Sequence, residues 1–445
     1  MKKTMVLYPG LSVSHFLPMM KLADELVEHG YAVTVALIDD PLQKQIALTA
    51  TVDRVISSKP SICFHRLPRV DHLPAVTTND GEFYLPGARQ VDIAERLKVP
   101  GYLFHPSNAS LFAFFLQIPS ICAEGKRSFS ELGDTPLEIP GLPPMPASHF
   151  IGNRPEEPPE SEVYKAVMDL VRRYTNKCSN GFLVNTVDSL EARVVNTLRH
   201  ARRQGGRALP PFYCVGPLVN KAGERGERPE RHECLAWLDR QPDRTVVFLC
   251  FGSTGIGNHS TEQLREIAVG LEKSGHRFLW VVRAPVVSDD PDRPDLDALL
   301  PAGFLERTSG QGAVVKQWAP QVDVLHHQAT GAFVTHCGWN SVLEGITAGV
   351  PMLCWPLHSE QKMNKVLMVE EMGIAVEMVG WQQGLVTAEE VEAKVRLVME
   401  SEAGVELRAR VTAHREAAAV AWTDVGSSRA AFTEFLSNAD SRQTS

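Results

Sequence analysis

No stretch of the 445-residue chain is apolar for long enough to span a bilayer. The basic opening MKKTMVLYPGLSVSH has some look of an export leader, but its apolar part is too short, and Pro9-Gly10 breaks it where a strand ends. The eight cysteines (63, 122, 178, 214, 234, 250, 337 and 354) show no CxxC spacing, so neither a zinc ribbon nor a disulfide framework is indicated. Several sit in apolar runs such as VVFLCFGS and PMLCWP, and they read as reduced core residues of a cytoplasmic protein. Basic charge is not in excess: 45 Lys and Arg against 53 Asp and Glu leave a net charge of −8, which gives nucleic acid and anionic lipid no footing. No repeat of solenoid length is present, and no cluster of metal-ligand type.

What is there is a 44% apolar chain with ample material for cores, long enough for two or three domains. Short apolar runs alternate with amphipathic helical stretches, the pattern of a parallel sheet covered by helices. Strand Thr4–Tyr8 leads through a glycine-bearing loop to a helix expected from near Pro18, with Met19, Leu22, Ala23 and Leu26 on one face and Gly30 at its end. Strands at Tyr31–Ile38, Ile62–Leu67, Gly101–Phe104 and Gly181–Asn185 follow. Residues 132–160, rich in proline and acid, read as loop, and Asn220–His232 as a linker. A second βαβ series begins with Thr245–Phe251. Ser260 and Gln263 have the spacing of a capping box, and Gly275 closes that helix before strand Arg277–Arg283. Strand Gly331–Thr335, a helix from about Asn340, strand Pro351–Trp355, and a helix capped by Thr387 and Glu390 continue the alternation. The fold class is therefore α/β, with two Rossmann-like βαβ domains facing across a cleft, where a ligand would lie at the carboxyl ends of the strands.

The most informative stretch is WAPQVDVLHHQATGAFVTHCGWNSVLEGITAGVPMLCWPLHSEQ, residues 318–361. A strand (GAFVT) runs into His336-Cys337-Gly338-Trp339-Asn340-Ser341 and then a helix. A glycine-bearing turn at a helix start offers free N–H groups and the positive dipole end, which suits a diphosphate. His336, Asn340 and Ser341 add side-chain donors. Glu344, one turn on, could accept from ribose hydroxyls, and Trp318 offers a flat face to a base. Glu360 and Gln361 follow a strand end where hydroxyl-recognising groups could meet a sugar. Taken singly, each has an ordinary structural reading: Trp318 as core, His336 as a strand-end histidine, the turn as a cap. Their joint spacing argues against coincidence.

This stretch resembles, without a gap, the signature box of the plant secondary-product glycosyltransferases, the family 1 enzymes of GT-B fold. Much of the remaining chain, from YPGLSVSHFLP to the C-terminal helix, resembles the family as well. The resemblance implies that Trp318 stacks on uracil and that Gln321 contacts the uridine. It implies that His336, Asn340 and Ser341 hold the phosphates together with the backbone near Gly338 and Trp339, that Glu344 binds the ribose, and that Glu360 and Gln361 bind the sugar. Ser253 in CFGST matches the family's serine at the diphosphate. Gln361 looks like the glucose-using version of the box, where galactose users tend to carry His. His358 stands where Tyr is common. The implied domains are 1–219 for the acceptor, a linker at 220–232, 233–428 for the UDP-sugar, and a C-terminal helix and tail, 429–445, packing back on the first domain. The partners are a small-molecule acceptor and UDP-glucose as co-substrate, with no other cofactor, no metal, no nucleic acid and no integral membrane segment. The chain is read as a monomer.

His15, in the loop PGLSVSH, matches the family's general base, which takes the proton of an acceptor hydroxyl before a single inverting displacement at the anomeric carbon. The apolar segment FHPSNASLFAFFLQIP would line the acceptor side, for a flavonoid or other phenol. Relatives orient the histidine with an Asp at a strand end, shortly before the helix matched here by Val91–Lys98. This chain has VTTNDGEFYLPGARQ in that place, with no apolar strand and no Asp at the matching position, and the segment from Pro68 to Val91 is short by some tens of residues. The N-terminal sheet should therefore lack an inner strand. Asp80, Glu82 and, less well placed, Asp92 are the candidate substitutes. A UDP-sugar-binding protein of little or no turnover stays open as the alternative. A nicotinamide-dependent dehydrogenase does not fit, since GxGxxG follows neither domain's first strand.

Overall fold

The structure is a computed structural model and describes residues 3–10, 12–37, 46–67, 94, 96–125, 132–150, 180–201, 209–223, 232–252, 259–283 and 295–443. The strands are β1 (Thr4–Leu7), β2 (Ala32–Leu37), β3 (Cys63–Arg66), β4 (Tyr102–His105), β5 (Pro136–Leu137), β6 (Met145–Pro146), β7 (Gly181–Val184), β8 (Phe212–Cys214), β9 (Val246–Cys250), β10 (Arg277–Val282), β11 (Gly312–Lys316), β12 (Thr330–Thr335), β13 (Met352–Cys354) and β14 (Ala375–Glu377). The described helices of ten or more residues are α1 (Val13–Glu28), α2 (Ile46–Ser58), α3 (Ala109–Gly125), α4 (Thr261–Ser274), α5 (Trp339–Ala348), α6 (Ala388–Glu400), α7 (Glu402–Val420) and α8 (Ser427–Gln443). The chain divides into two compact units, Met1–Val219 with Val420–Ser445, and Asn220–Ala419.

The second unit holds one six-stranded parallel sheet in the order β11-β10-β9-β12-β13-β14. Its central strands are continuous apolar runs, VVFLC in β9 and TGAFVT in β12, and every residue of both is buried, as a sheet covered on two faces requires. On one face Leu264, Ile267 and Leu271 of α4 and Val391, Val395 and Val398 of α6 pack on Phe278, Trp280 and Val282 of β10. On β9 and β12, Phe248 and Phe333 stack with ring centroids 5.3 Å apart. Ser260 caps α4 by accepting from the Gln263 amide at 3.1 Å. The reciprocal half of the expected capping box is not formed. Gln263 is buried, and its side chain instead exchanges two 2.8 Å hydrogen bonds with the Val386 backbone, tying α4 to the segment before α6. Gly275 ends α4 in the left-handed region, φ 71°. Strand order reverses between β9 and β12, and the C-terminal rim at such a reversal is where α/β sheets bind ligands.

The first unit carries two three-stranded parallel sheets, β3-β2-β1 and β4-β7-β8. Its core joins Phe16, Met20 and Leu26 of α1, Val33 and Val35 of β2, and Phe432, Phe435, Leu436 and Ala439 of α8. The Tyr31 hydroxyl adds a 2.8 Å hydrogen bond to Asp440. Among the described strands, β1 and β4 are both edges. Val6 in β1 is 68% exposed, and no residue of β4 is fully buried, whereas β7 is buried throughout. Among the described residues each pairs on one side only, β1 with β2 and β4 with β7; residues 68–93, where the expected gap falls, lie outside them.

Three expectations need correction. Helix α1 begins at Val13, not near Pro18, because Ser12 takes the N-cap, and Pro18 lies inside the helix. His15 is thus in the first turn of a helix rather than in the loop before it. Residues 132–150 are not all loop: β5 and β6 pair antiparallel and lead into a helical turn, Ala147–His149, while 151–160 fall outside the described residues. Cys63 is exposed rather than core, although Cys214, Cys234, Cys250, Cys337 and Cys354 are buried, and all six are free thiols.

Candidate active site

Four residues in the left-handed region mark the rim of the six-stranded sheet. Gly252 (φ 89°) follows β9, Gln317 (φ 65°) follows β11, Cys337 (φ 65°) follows β12, and Ser359 (φ 56°) lies in the loop after β13. A non-glycine residue held there costs on the order of 1–3 kcal/mol, and such strain gathers at ligand sites. At Cys337 the surroundings hold it in place. Its N–H donates to the Thr335 hydroxyl at 3.2 Å, and the fully buried Asn364 amide donates to its carbonyl at 2.8 Å. This clamp fixes the turn that opens α5.

Helix α5 starts at Gly338 with no side chain capping it, so the first-turn amides of Trp339, Asn340 and Ser341 stand at the positive end of the helix dipole. The Trp339 side chain is core, 3% exposed. The His336 ring is wedged between two glycines. A Cβ added to Gly252 would lie 2.7 Å from its Nε2, and one added to Gly338 would lie 2.5 Å from it. Its Nδ1 is buried with no hydrogen-bond partner among the described residues. Desolvation, with His358 and Arg283 nearby, lowers its pKa to about 3, so the ring is neutral at pH 7.

Three of the predicted residues form one hydrogen-bonded group. Gln321 Nε2 donates to Ser341 Oγ at 2.9 Å and to Glu344 Oε2 at 2.6 Å. Half-buried Trp318 meets the His232 ring edge-on at 5.7 Å between centroids. Beyond β13, burial raises the Glu360 carboxyl above its ordinary value. Gln361 is 3% exposed, and its Oε1 accepts from the amides of Leu357 at 2.8 Å and His358 at 2.9 Å. Its carbonyl oxygen is committed to the backbone, which leaves Nε2, 3.3 Å from His358 Nδ1. Ser253 lies outside the described residues.

In the first unit, the His15 amide donates to Ser12 Oγ at 3.3 Å, and the ring's Nδ1 packs over Gly10, where an added Cβ would come within 2.8 Å. The ring is open to solvent at its own surface, yet desolvation by the surrounding protein lowers its pKa to about 4, and no described carboxylate contributes to that shift. Asp80, Glu82 and Asp92, the candidate substitutes, fall outside the described residues. The titratable neighbour is His105 at the end of β4, whose pKa burial and His15 together lower to about 3. Much of the predicted acceptor segment is core: Leu111, Phe112, Ala113, Phe114 and Ile118 are all buried. Sequence reading missed Asn364, Arg283 and His105, since no local pattern distinguishes a clamp, a rim cation or a buried histidine from ordinary helix and strand-end residues. Among the described residues no group of three or more His, Cys, Asp or Glu could hold a metal ion, and no helix is long and apolar enough to cross a membrane.

A doubly wound parallel sheet with a polar group and an uncapped helix start at its switch point is the plan of a nucleotide-binding α/β enzyme. Residues 212–408 match the family model of UDP-glucoronosyl and UDP-glucosyl transferases. An anthocyanidin 5,3-O-glucosyltransferase of a Rosa hybrid cultivar is 37% identical over 96% of this chain and 97% of its own. A phloretin 2'-O-glucosyltransferase of Pyrus communis is 37% identical over 98% of this chain and 100% of its own. The Rosa alignment spans 472 positions, so several tens of them stand opposite gaps here. The apo structure of UGT2 from Phytolacca americana superposes with a TM-score of 0.85 at 31% identity, covering 98% of this chain and 100% of that one. The chain belongs to the plant UDP-glycosyltransferases and is a UDP-dependent hexosyltransferase of GT-B fold.

Proposed function

We propose that the protein transfers glucose from UDP-glucose to a hydroxyl of a small phenolic acceptor, with inversion at the anomeric carbon and His15 as general base. The observation that carries this reading is the Gln321–Ser341–Glu344 group beside the uncapped start of α5. There Trp318 would stack on uracil, Gln321 would contact the uridine, and Glu344 would accept from the ribose. The amides from Gly338 to Ser341, with His336, Asn340 and Ser253, would hold the diphosphate. Glu360 and the Gln361 Nε2 would address the sugar. The acceptor class is supported by what the relatives are named for, anthocyanidin and phloretin, and by a Phytolacca structure holding UDP-2fluoro-glucose with pterostilbene.

In the proposed reaction neutral His15 withdraws the acceptor proton as the oxygen attacks the anomeric carbon. The carbon–oxygen bond to UDP breaks in the same step, and the α-linked donor gives a β-glucoside. The helix dipole and first-turn amides receive the charge that develops on UDP, so this account needs no metal and no cofactor beyond the co-substrate. We place the enzyme in the cytoplasm as a monomer, with its acceptor in the unit that carries His15 and its donor in the other. The six free thiols suit a reducing compartment.

The test is incubation with UDP-glucose and a phenol panel, reading UDP release and the anomeric configuration of the product. Acceptor-dependent release of UDP, a β-glucoside, and a roughly 10²–10⁴-fold loss on His15→Ala are expected. Confirmed UDP binding with no acceptor-dependent release would sink the reading. A second reading is favoured by one observation, that no described carboxylate acts on His15: the chain binds UDP-sugar with little turnover, and His15→Ala changes nothing.

A further inference from the structure

Arg283 lies directly after β10 and belongs to none of the groups described above. The register pairs Trp280 with Leu249 of β9 and Val282 with Lys316 of β11. Carried to the strand ends, it sets Arg283 between Gly252 and Gln317, two of the left-handed rim residues. The same register across β9 and β12, which pairs Cys250 with Thr335, brings Gly252 opposite Cys337. Neighbouring parallel strands lie about 4.8 Å apart, so Arg283 is one strand from Gly252 and two from the turn that opens α5. Gly252 in turn touches the His336 ring.

The guanidinium is poorly satisfied where it stands. Among the described residues its buried Nε has no hydrogen-bond partner and no carboxylate pairs with it. Arg283 and His358 both act on His336, and the one described carboxylate that shares this neighbourhood, Glu344, acts with Arg283 on Cys250 and already accepts from Gln321. A half-buried cation without a counter-ion is costly, and one placed beside a helix N-terminus points to an anion supplied from outside. Resting on the donor-site reading above, we infer that Arg283 is a binding residue for the pyrophosphate of the UDP-sugar. Its planar fork takes phosphate oxygens from the β10 side, opposite the amides of α5. Arginine suits this role better than lysine because two parallel N–H groups match two phosphate oxygens. The same cation would remain in contact with UDP as the leaving group, so it should lower the barrier as well as improve binding.

The experiment is calorimetric titration of the full chain with UDP and, separately, with uridine, for the wild type, Arg283→Met and Arg283→Lys. Uridine carries the base and ribose but no phosphate, so it reports whether the rest of the pocket survives the change. The expected result is a loss of tenfold or more in UDP affinity for Arg283→Met, a smaller loss for Arg283→Lys, and uridine affinity unchanged in both. Added NaCl should weaken UDP binding more steeply in the wild type than in Arg283→Met. Equal UDP affinity in wild type and Arg283→Met would overturn the inference, and so would a parallel loss of UDP and uridine, which would mark a structural role. A wild type that binds uridine but not UDP, or neither, would instead overturn the donor-site reading and this inference with it.

Discussion

His336 and the two glycines beside it show how the site depends on space rather than on charge alone. Gly338 has an ordinary backbone angle, φ −63°, that any residue could adopt. A Cβ there would nevertheless sit 2.5 Å from His336 Nε2, so Gly338→Ala must displace the ring. We expect that substitution to weaken UDP binding tenfold or more in a calorimetric titration, with little change in melting temperature; unchanged affinity would remove the ring from the diphosphate site. His15 yields a second expectation. A carboxylate beside its ring would raise the pKa, whereas desolvation acting alone lowers it from 6.5 to about 4. The basic, neutral form then persists well into acid, and kcat/KM should fall only as pH approaches about 4. An acid limb at 6.5 or above in the pH–rate profile would show that a carboxylate does act on this histidine. At this scale the sequence was most legible where a residue's role follows from its own motif. Gln321, Ser341 and Glu344 do come together, but Arg283 and Asn364 were missed because their meaning depends on neighbours tens of residues away. The start of α1 was misplaced because Pro18 resembled a first helical residue, while Ser12 supplied the actual cap.

Between elements, the packing of α4 on α6 leaves the second unit little room for change. Gly270 in α4 faces α6 so closely that a Cβ would lie 2.6 Å from the Ala388 carbonyl and 2.6 Å from Val391 Cβ. One of these neighbours is backbone and cannot rotate away. Gly270→Ala, which would help an isolated helix by about 1 kcal/mol, should here destabilise by roughly 1–3 kcal/mol through overpacking. Chemical denaturation decides it: a midpoint equal to or above that of the wild type would show that the helices can separate without loss. The buried strands and the capped helices of this unit could be read from the sequence, because apolar runs, Ser260 and Gly275 are local signals. The β5–β6 pair could not, since two-residue strands leave no periodicity to detect.

For the molecule as a whole, five of the described histidines respond to acid in the same sense, His326 among them, lowered mainly by desolvation. Desolvation lowers His15 and His259 to about 4, and His105 and His336 to about 3. Unfolded, each binds its proton near pH 6.5; folded, each resists until the pH is lower. Between those values the unfolded chain binds more protons, so stability declines as pH falls below 6.5, while above 6.5 these groups exert no pull. Scanning fluorimetry from pH 7.5 to 4.5 should show the melting temperature falling steadily below pH 6.5, and a flat profile across that window would contradict it. The alternation of strand and helix was enough to give the fold class. The expectation of a missing inner strand in the first unit rests on residues 68–91, which lie outside the described residues. The first unit is also the one the chain leaves and rejoins, since α8 inserts Phe432 and Phe435 into a core begun by α1. On the ribosome this reverses the usual order of completion. The middle segment, 220–419, can settle while synthesis continues, whereas the segment before it must wait, with the seat of α8 empty, until α8 has been made.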